Sequence, residues 1–415
     1  MSKLSYLEKL LDGAGVEWKP LGEVGSLQRG KRFVKSDMIS EGIPCIHYGE
    51  MYTHYGIFSI KSKSYLHEEL ASKLRVASRG DVIIVAAGET IEDIGNGTAW
   101  LGEEDVVIHD ACFFYKSELN PKYVSYFLRT KIFKEQIKKH ISSGKISAIN
   151  PKGLSQANIP IPCPENQKKS LAIQAEIVRI LDAFTQLTAE LTAELTARKK
   201  QYDYYREQLL TFKDGEVEWK PLEKVADIFD SLHQTPQYSE TGLSMVRVTD
   251  IKGGFLNLHE ALKVNNGVFE TFTKKYLPEK YDLVMSRVGS YGNIGIVPSD
   301  NSVCMGQNTV VIHPRINNKY LFHFLLSKTA QNFIERNVEG GNQKTLSLKS
   351  IREIPIPLVS EEEQERIATI LDKFDALTNS LQEGLPHEIE LRQKQYEYYR
   401  DLLLNFPKPV EGAIR

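Results

Sequence analysis

The chain has 415 residues, a formal charge of −2 and 41% hydrophobic residues, which is typical of a globular protein with two or three domains. No apolar run reaches the ~20 residues that a membrane-spanning helix needs. The N-terminus has no signal-peptide core, and the 4 cysteines form no CxxC pair. These features argue against a membrane protein, a disulfide scaffold and a zinc ribbon, and we expect a reduced, cytoplasmic protein. The near-neutral charge argues against nucleic-acid binding by bulk charge alone.

An internal repeat of about half the chain sets the predicted architecture. The segment EVEWKPL at 216–222 copies GVEWKPL at 15–21, and QYEYYRDLLLNF at 395–406 copies QYDYYREQLLTF at 201–212. Shorter copies, IPIP and ILDAF or ILDKF, lie between these segments. A duplicated chain of this kind predicts a pseudo-two-fold molecule, which suits two identical partners or one two-fold target.

In chain order the repeat predicts five segments. The first is a helix tail, because YLEKLLDGAGVEW resembles the segment YREQLLTFKDGEVEW that precedes the second domain. Each domain begins at Trp-Lys-Pro-Leu and ends at Ile-Pro-Ile-Pro. The segments are a helix tail at 1–14, a first domain at 15–162, a central helical region at 163–214, a second domain at 215–358 and a C-terminal helical region at 359–415.

Each domain is predicted to mix α and β structure in a strand-rich body. β-branched segments bounded by Gly and Asn, such as 80–84, predict short strands. Apolar spacing predicts helices over 121–140 and 318–338. Residues 28–60 scarcely match 229–260, which favours one fold that presents two different binding surfaces. Neutral drift of loops is the alternative.

The central region is predicted to be one helix of about 45 residues, ~70 Å long. Apolar residues recur over 173–212 at alternating steps of three and four, the seam of a coiled coil. The alternation is broken where LTAELTAELTAR at 187–198 repeats a four-residue unit in tandem, so we identify a stutter. One such unit moves the following helix by ~6 Å and rotates it by ~40°. The tandem unit is either a device for changing a spacing or a harmless duplication in an exposed helix. Its spacer residues are Thr188, Leu191, Thr192 and Leu195.

The C-terminal region is predicted to begin after an N-cap at Ser360, with Leu381 on its seam. Gly384 and Pro386 are expected to interrupt it, and a new helix is expected to start at Pro386. The predicted fold class is therefore α+β. It consists of two pseudo-symmetric, strand-rich domains separated by two long helices that form an antiparallel coiled coil.

The sequence lacks the usual motifs of catalysis and metal binding. It has no GxxxxGK[ST] phosphate loop, no Asn-Pro-Pro-aromatic motif for adenine methylation and no histidines at metal-ligand spacing. The glycines at 289–295 favour a turn over a dinucleotide loop. These absences favour a recognition protein, and we predict no catalytic residue, no metal site and no cofactor in this chain.

Residues suited to DNA base edges lie mostly in the segments that differ between the domains. Arg and Lys can donate to guanine, Gln can pair with adenine, and Glu can accept from cytosine. The candidates of the first domain are Gln28, Arg29, Lys31, Arg32, His47, Tyr48, Glu50, Tyr52, His54 and Lys145. Those of the second are His233, Gln234, Thr235, Arg247, Thr249, Asp250, Arg287, Ser290, Tyr291, Gln343 and Lys344. A solvated side chain or a phosphate contact is the alternative for each.

Taken together, the chain resembles the specificity subunits of type I restriction–modification enzymes, in particular the type IC branch. The resemblance is carried by SYLEKLLDG, VEWKPL, IPIPCPENQKKSLAIQAEIVRILDAF, LTAELTAELTARKKQYDYYR, GLPHEIELRQKQYEYYRDLL and FPKP. The variable domains match that family only in layout, so the candidate residues rest on side-chain chemistry alone.

This resemblance implies two target recognition domains, each of which reads one half of an asymmetric bipartite site in double-stranded DNA. It implies that the helices set the gap between the halves and dock two modification subunits, which methylate adenine N6 with S-adenosylmethionine. Two restriction subunits, translocases and nucleases that use ATP and Mg, would complete the assembly. It also links the number of four-residue units to the length of the gap.

Two other functions remain open from the sequence. A two-lobed coiled-coil scaffold that binds proteins but not DNA would explain the helices and the repeat, but not domains that differ mainly in polar loops. An enzyme that acts alone on nucleic acid would need a cofactor motif that the sequence lacks.

Overall fold

A computed structural model describes residues 3–142, 144, 146–213, 215–341, 343–380 and 384–406. The chain forms two compact units: unit 1 contains residues 1–189 and 391–415, and unit 2 contains residues 190–390. The division falls inside the tandem four-residue repeat. Each unit therefore takes in a domain and parts of both helical regions. Among the described residues, no helix combines the length and apolar character that a bilayer crossing requires.

Unit 1 is built around the first strand-rich domain. Its elements in chain order are α1 Lys3–Leu11, β1 Val16–Pro20, α2 Leu21–Val24, β2 Gly25–Arg29, β3 Ile43–Ile46, α3 Tyr48–Thr53, β4 Phe58–Ser59, β5 Ser64–Leu66, α4 Glu68–Ala71, β6 Val76–Ala77, β7 Val82–Val85, β8 Ala87–Gly88, β9 Gly97–Trp100, β10 Val106–Ile108, β11 Cys112–Ser117, α5 Pro121–Phe127, α6 Lys131–Lys138, β12 Ile141–Ser142, β13 Ser147–Ile149, α7 Pro151–Ser155, β14 Asn158–Pro162 and the start of α8 Gln167–Leu210. A five-stranded sheet has the order β2-β11-β7-β9-β4, and a four-stranded sheet has the order β5-β3-β10-β6. Trp100, Phe113 and Phe127 are among the large side chains buried in its core.

Unit 2 repeats this plan with different strand lengths. Its elements are the end of α8, β15 Glu218–Pro221, β16 Ala226–Asp230, β17 Leu243–Val246, β18 Ile251–Lys252, β19 Gly254–Leu256, β20 Lys263–Val264, α9 Asn266–Thr273, β21 Leu283–Ser286, β22 Ile294–Ile296, β23 Val303–Met305, β24 Thr309–Pro314, α10 Asn318–Leu325, α11 Lys328–Arg336, β25 Val338–Glu339, β26 Thr345–Leu346, α12 Leu348–Arg352, β27 Pro355–Leu358, α13 Glu361–Asn379 and the start of α14 Leu385–Leu403. Its sheets have the orders β16-β24-β21-β22-β19-β18 and β20-β17-β23. The parallel pair β17 with β23 corresponds to the parallel pair β3 with β10 in unit 1.

Both domains are closed by the same two-stranded ladder. Strand β1 pairs antiparallel with β14, with Trp18 opposite Pro160, and β15 pairs with β27, with Trp219 opposite Pro357. A buried tyrosine hydroxyl fastens each ladder: Tyr123 donates to the Pro160 carbonyl and Tyr320 to the Pro357 carbonyl, both at 2.8 Å. Because each ladder joins the two ends of its domain, chain entry and exit are adjacent in both.

The structure confirms the predicted helices and refines their ends. Helix α8 has 44 residues, and α13 begins after Ser360, whose hydroxyl accepts a hydrogen bond from the Glu363 N–H at 3.3 Å. The break falls at Gly384, with φ of 116°, and α14 starts at Leu385, one residue before the predicted start. Leu381 lies outside the described residues. The predicted helices over 121–140 and 318–338 are each two helices, because an N-cap hydroxyl at Thr130 or Ser327 starts a second one.

Matched aromatic pairs join the helices within each unit. In unit 1 the ring of Phe184 on α8 stacks on Tyr399 of α14 at 5.2 Å. In unit 2 the ring of Phe374 on α13 stacks on Tyr205 of α8 at 5.4 Å. Phe184 and Phe374 are equivalent positions of the repeat, and so are Tyr399 and Tyr205. Within each unit, α8 therefore packs against one helix of the C-terminal region.

In each unit, one aspartate also links the domain to the helices through hydrogen bonds and an ion pair. In unit 1, Asp182 accepts hydrogen bonds from the Tyr126 hydroxyl at 2.8 Å and from Lys122 at 2.5 Å. In unit 2 the equivalent Asp372 accepts from Nε2 of His323 at 2.8 Å and pairs with Lys319 at 3.2 Å. His323 is fully buried, and its Nδ1 bonds the Tyr202 hydroxyl at 3.0 Å. Burial raises the pKa of Asp372, but the His323 hydrogen bond and the Lys319 charge outweigh burial and hold that pKa below its usual range.

Replacing this aspartate is expected to loosen unit 2 alone. Asp372→Ala leaves a buried imidazole N–H without its acceptor, a loss of about 1–3 kcal/mol, so amides of α10 should exchange roughly 10- to 100-fold faster. Asp372→Asn keeps an acceptor oxygen and should cost less. Since the pKa of Asp372 is lowered on folding, its contribution is present above the unfolded value of about 3.9. The contribution is lost as pH falls through the folded value, so the difference between wild type and Asp372→Ala should begin to shrink below about pH 4 and disappear only below the folded pKa of Asp372.

Hydrogen exchange, corrected for the intrinsic rate at each pH, measures this effect. Asp182→Ala is the matched control and should speed exchange in α5 while leaving α10 unchanged. Equal loosening of both units by either variant would contradict the assignment of one aspartate to each unit.

Candidate nucleic-acid interface

Three strand ends of unit 1 meet and bring most first-domain candidates together. The parallel strands β3 and β10 end side by side, and the N–H of His109 donates to the Ile46 carbonyl at 3.2 Å. The chain leaving β2 crosses them, where the Lys31 N–H donates to the Ile108 carbonyl at 3.0 Å. Gly30 makes this crossing possible, because a Cβ there would clash with the Ile108 and His109 carbonyls. We call residues 28–35, 47–54 and 109–110 edge 1.

The basic loop of edge 1 is held by its backbone and presents exposed polar side chains. Arg75 donates to the Arg29 carbonyl at 2.6 Å, and Arg29 Nε donates to the Asp110 carbonyl at 2.7 Å. Lys31 donates to the Lys73 carbonyl at 2.8 Å. The exposed candidates of edge 1 are Gln28, Arg29, Lys31, Arg32, Tyr48 and His54. Their charges and amides suit phosphate or base contacts.

Glu50 of edge 1 is buried, and both of its carboxylate oxygens are used inside the fold. One accepts the Ser64 hydroxyl at 2.5 Å and the other accepts the His47 N–H at 3.1 Å. His47 caps α3, because its Nδ1 accepts the Gly49 N–H at 3.3 Å. We therefore withdraw Glu50 as a cytosine contact, since side-chain chemistry alone could not show that its oxygens are occupied. Half-buried Tyr52 donates to the Ala87 carbonyl at 2.9 Å and supports the neighbouring strand.

A compact cluster of imidazole and aromatic rings forms the base of edge 1. The rings of His47 and His109 are 4.5 Å apart, and Tyr48 lies 4.6 Å from the first and 5.1 Å from the second. Phe33 packs edge-on against His109 at 5.1 Å. Burial lowers the pKa of His47, and burial together with the charge of His47 lowers that of His109, so both are neutral at pH 7. Sequence reasoning missed His109 as a site residue, because His109 lies outside the divergent segment 28–60 and reaches it only through the pairing of β3 with β10.

Unit 2 forms a corresponding edge, where the parallel strands β17 and β23 end side by side and the Gly306 N–H donates to the Val246 carbonyl at 2.8 Å. The N–H of Arg287 donates to the Asn308 carbonyl and the N–H of Leu346 donates to the Arg287 carbonyl, both at 2.8 Å. The Gly289 N–H donates to the Lys344 carbonyl at 3.1 Å, and Lys344 Nζ lies 6.0 Å from the Tyr291 ring. These bonds bring together the segments at 287–291 and 343–346. We call residues 230–235, 247–250, 287–291, 307 and 343–344 edge 2.

Ion pairs occupy part of edge 2. Arg287 is largely buried and pairs with Asp230 at 2.8 Å, while His233 bonds the other oxygen of Asp230 at 3.1 Å. Arg247 forms a bidentate salt bridge with the buried Asp250, in which Nε and Nη2 donate to the two carboxylate oxygens at 3.0 and 2.9 Å. The hydrogen bond to Asp250 raises the pKa of Arg247. Asp250 and Arg287 are thus held by internal partners, and we withdraw them as base contacts. The candidates that remain exposed or half-exposed are His233, Gln234, Thr235, Arg247, Thr249, Ser290, Tyr291, Gln343 and Lys344.

The two edges share one hydrogen bond, from a backbone N–H to a carboxylate, although their sequences are unrelated. In unit 2 the Asp250 carboxylate accepts the Arg247 N–H at 2.9 Å, as Glu50 accepts that of His47 in unit 1. Both pairs follow the parallel central strand and close a helical turn. The divergence between 28–60 and 229–260 is therefore a change of side chains and loops around a common turn. Lys145 lies outside the described residues.

This division into internal and outward residues predicts opposite mutational outcomes. Glu50→Ala should lower the stability of unit 1 by about 2–4 kcal/mol, because it leaves a buried hydroxyl and a buried N–H without an acceptor; Asp250→Ala should do the same in unit 2. Gln28→Ala and Gln234→Ala replace exposed side chains and should change stability by less than ~0.5 kcal/mol. Thermal unfolding and DNA binding, measured together, should separate the two groups. Destabilisation by Gln28→Ala would contradict the division.

The spacer residues lie on a part of α8 that belongs to neither core. Residues 182–201 are all described, and none of them is buried. Leu191 and Leu195 are half-buried, Thr192 is exposed, and the Thr188 hydroxyl donates to the Phe184 carbonyl at 3.0 Å. Within the described residues, no group of three His, Cys, Asp or Glu side chains is placed to hold a metal ion.

Comparison with known proteins identifies the family that these features resemble. The family described as type I restriction modification DNA specificity domain matches residues 14–198 and 217–391. A type I restriction enzyme specificity subunit of Escherichia coli is 36% identical over 422 residues, with 99% of both chains covered. A putative type I restriction enzyme specificity subunit of Haemophilus influenzae is 33% identical over 428 residues, with 97% of this chain and 98% of that protein covered.

Solved structures share the fold. The type I restriction–modification S subunit from M. genitalium matches with a TM-score of 0.55 and 15% identity, covering 96% of this chain and 98% of its own. A chain from a study of complex assembly and conformational transition of the type I restriction–modification system matches with a TM-score of 0.60 and 15% identity. It covers 94% of this chain and 98% of its own.

Proposed function

This chain belongs to the type I restriction–modification specificity subunits, and from that premise we propose that edge 1 and edge 2 each read one half of an asymmetric bipartite site in double-stranded DNA. Members of this family are the non-catalytic DNA-recognition component of the complex and work with other restriction–modification subunits and DNA.

One observation carries the proposal: the same arrangement of strand ends is built twice and carries different exposed side chains each time. Edge 1 presents a basic loop beside a tyrosine that packs on two imidazoles, whereas edge 2 presents His233 and Gln234 beside Tyr291 and Lys344. A scaffold that bound the same protein twice would need matching side chains at the two edges. Different side chains on matching turns suit two different DNA sequences.

The helices would set the gap between the halves. Helix α8 is continuous through the tandem repeat and contributes residues to both units. Because a helix advances by ~1.5 Å and turns by ~100° per residue, each four-residue unit changes both the distance and the angle between what it joins. This supports a role for Thr188, Leu191, Thr192 and Leu195 as spacer residues.

We further propose that two modification subunits dock on the helices and that two restriction subunits complete the complex. The matched pairs Phe184 with Tyr399 and Phe374 with Tyr205 support two equivalent docking places. S-adenosylmethionine, ATP and Mg would be held by these partners, and the assembly would act in the cytoplasm. A net charge of −2 fits a chain whose partners supply much of the phosphate contact.

Mapping of adenine methylation across a host genome tests this proposal. The host carries this chain with the modification subunit of its system, and the control carries the modification subunit alone. We expect methylation in one bipartite motif only when this chain is present. Methylation without a motif, or methylation that does not depend on this chain, would overturn the proposal.

The scaffold alternative makes a different prediction. A protein scaffold would leave DNA unprotected, whereas two recognition edges should give two separated protected patches whose strength falls with salt. Footprinting of the complex at low and high salt distinguishes the two functions.

A further inference from the structure

His109 has two alternative hydrogen-bonding partners at one nitrogen. Its Nδ1 accepts the Ala111 N–H at 3.0 Å, which closes the turn between β10 and β11. The Asp110 carboxylate oxygen Oδ1 lies 3.2 Å from the same nitrogen. A neutral imidazole can accept from Ala111, whereas a protonated one must donate and would turn to Asp110. The two protonation states therefore favour different partners at this turn.

Both neighbours of His109 belong to edge 1. On one side its ring supports Tyr48, whose side chain is exposed, and the ring of His47. On the other side, the carbonyl of Asp110 accepts the hydrogen bond from Arg29 Nε at 2.7 Å. A change at His109 would thus reach an exposed aromatic ring and an exposed guanidinium together.

Edge 2 has no equivalent of this histidine. The position after β23 is Gly306, which packs on Arg247 and donates its N–H to the Val246 carbonyl at 2.8 Å. The residue equivalent to Asp110 is Gln307. The histidine of edge 2, His233, is exposed and bonded to Asp230, so it does not form the base of the edge.

We propose that His109 is a positioning residue for the first half-site: it holds Tyr48 and Arg29 in place, so that sequence discrimination at that half-site depends on His109 and falls when it is protonated. This inference rests on the proposed function of edge 1. The charged and titratable groups that face the His47–His109 pair are Glu50, Lys35, Asp110, Arg32 and Tyr48. Lys35 and Arg32 disfavour the charged imidazoles, while Glu50 and Asp110 favour them.

The test uses the complex of this chain with the modification subunits of its system. Discrimination is the ratio of methylation rates on the correct site and on sites with one mismatch, measured separately for each half between pH 5 and pH 8, a range that extends below the usual histidine pKa because burial lowers the pKa of His109. His109→Ala should reduce discrimination at the first half-site by ~10-fold, the scale of one mismatched base pair, and leave the second within ~2-fold. His109→Asn places an amide oxygen where Nδ1 lies, so it should keep discrimination at pH 8 and lose the pH dependence.

The matched control is His67→Ala, which removes an exposed histidine of the same unit outside edge 1 and should change neither half-site. Equal losses at both half-sites, or an unchanged first half-site in His109→Ala, would overturn the inference. So would a pH profile of His109→Asn that follows wild type, and this comparison decides the matter if His109→Ala does not fold. A wild-type complex without any bipartite motif would instead contradict the proposed function itself.

Discussion

Deleting residues 188–191 is expected to shorten the gap of the recognised DNA site while leaving the sequences of both half-sites unchanged. The deletion removes one four-residue unit of α8, which shifts the following helix by ~6 Å along its axis and rotates it by ~40°. A base pair rises ~3.4 Å and turns by ~35°, so a complex set for the shorter helix should no longer fit the original gap. We expect modification of original-gap sites to fall by roughly 100-fold or more, because only one half-site can then be engaged at a time.

The deletion should not unfold the chain. None of the residues 182–201 is buried, and the nearest core residues of α8 are Leu181 and Tyr202. The repeat also leaves Thr-Ala-Glu-Leu behind when one copy is removed, so helix propensity is kept and the strict alternation of apolar steps is restored. The deletion therefore shortens α8 without removing core packing from unit 1 or unit 2.

Two variants make this experiment specific to length. Thr188→Ala with Glu190→Ala keeps the length and should keep the original gap, whereas insertion of a third complete unit should lengthen it. A genome-wide methylation map for each variant gives the gap and both half-sites together. The spacer hypothesis is wrong if the deletion alters the half-site sequences, or if the original gap survives in both length variants.

The long helices could be predicted from sequence because their signal is local. The alternation of apolar residues, the N-cap at Ser360 and the break at Gly384 are all visible within a few residues. The repeated Trp-Lys-Pro and Ile-Pro-Ile-Pro segments mark the ends of both domains in the sequence. Their pairing in the closing ladders joins residues far apart in sequence and is seen only in the structure.

The candidate site could be predicted only in part, because burial and partners in the edges depend on tertiary pairing. The sequence predicts Glu50 and Asp250 as DNA contacts, but the fold turns both carboxylates inward to cap a helical turn. His109 was not chosen, because its place beside His47 comes from the parallel pairing of β3 with β10. Residue type indicates which contacts a side chain could make with DNA, but it does not indicate whether the folded protein leaves that side chain exposed to solvent.

Replacing residues 215–358 with a second copy of residues 15–162 is expected to give a chain that reads the first half-site at both ends. The internal repeat predicts a pseudo-two-fold molecule, so the motif should become two inverted copies of that half-site. The exchange should fold, since β1 with β14 and β15 with β27 close their domains in the same register. Modification at the original asymmetric site should fall by ~100-fold or more, the effect of replacing several base contacts at once.

The new junction should also be compatible with the helices of unit 2. The incoming Tyr126 would replace His323 and donate to Asp372, as it donates to Asp182 in unit 1. Tyr202 would then lose its bond to His323 and would face a tyrosine, in the way that Tyr396 lies 6.3 Å from Tyr126 in unit 1. A second chimera with Tyr126→His in the incoming copy restores the His323 contact and serves as the control for junction stability. If both chimeras fold and yet retain the original asymmetric motif, the domains do not carry the specificity, and the proposal that edge 1 and edge 2 read separate half-sites is wrong.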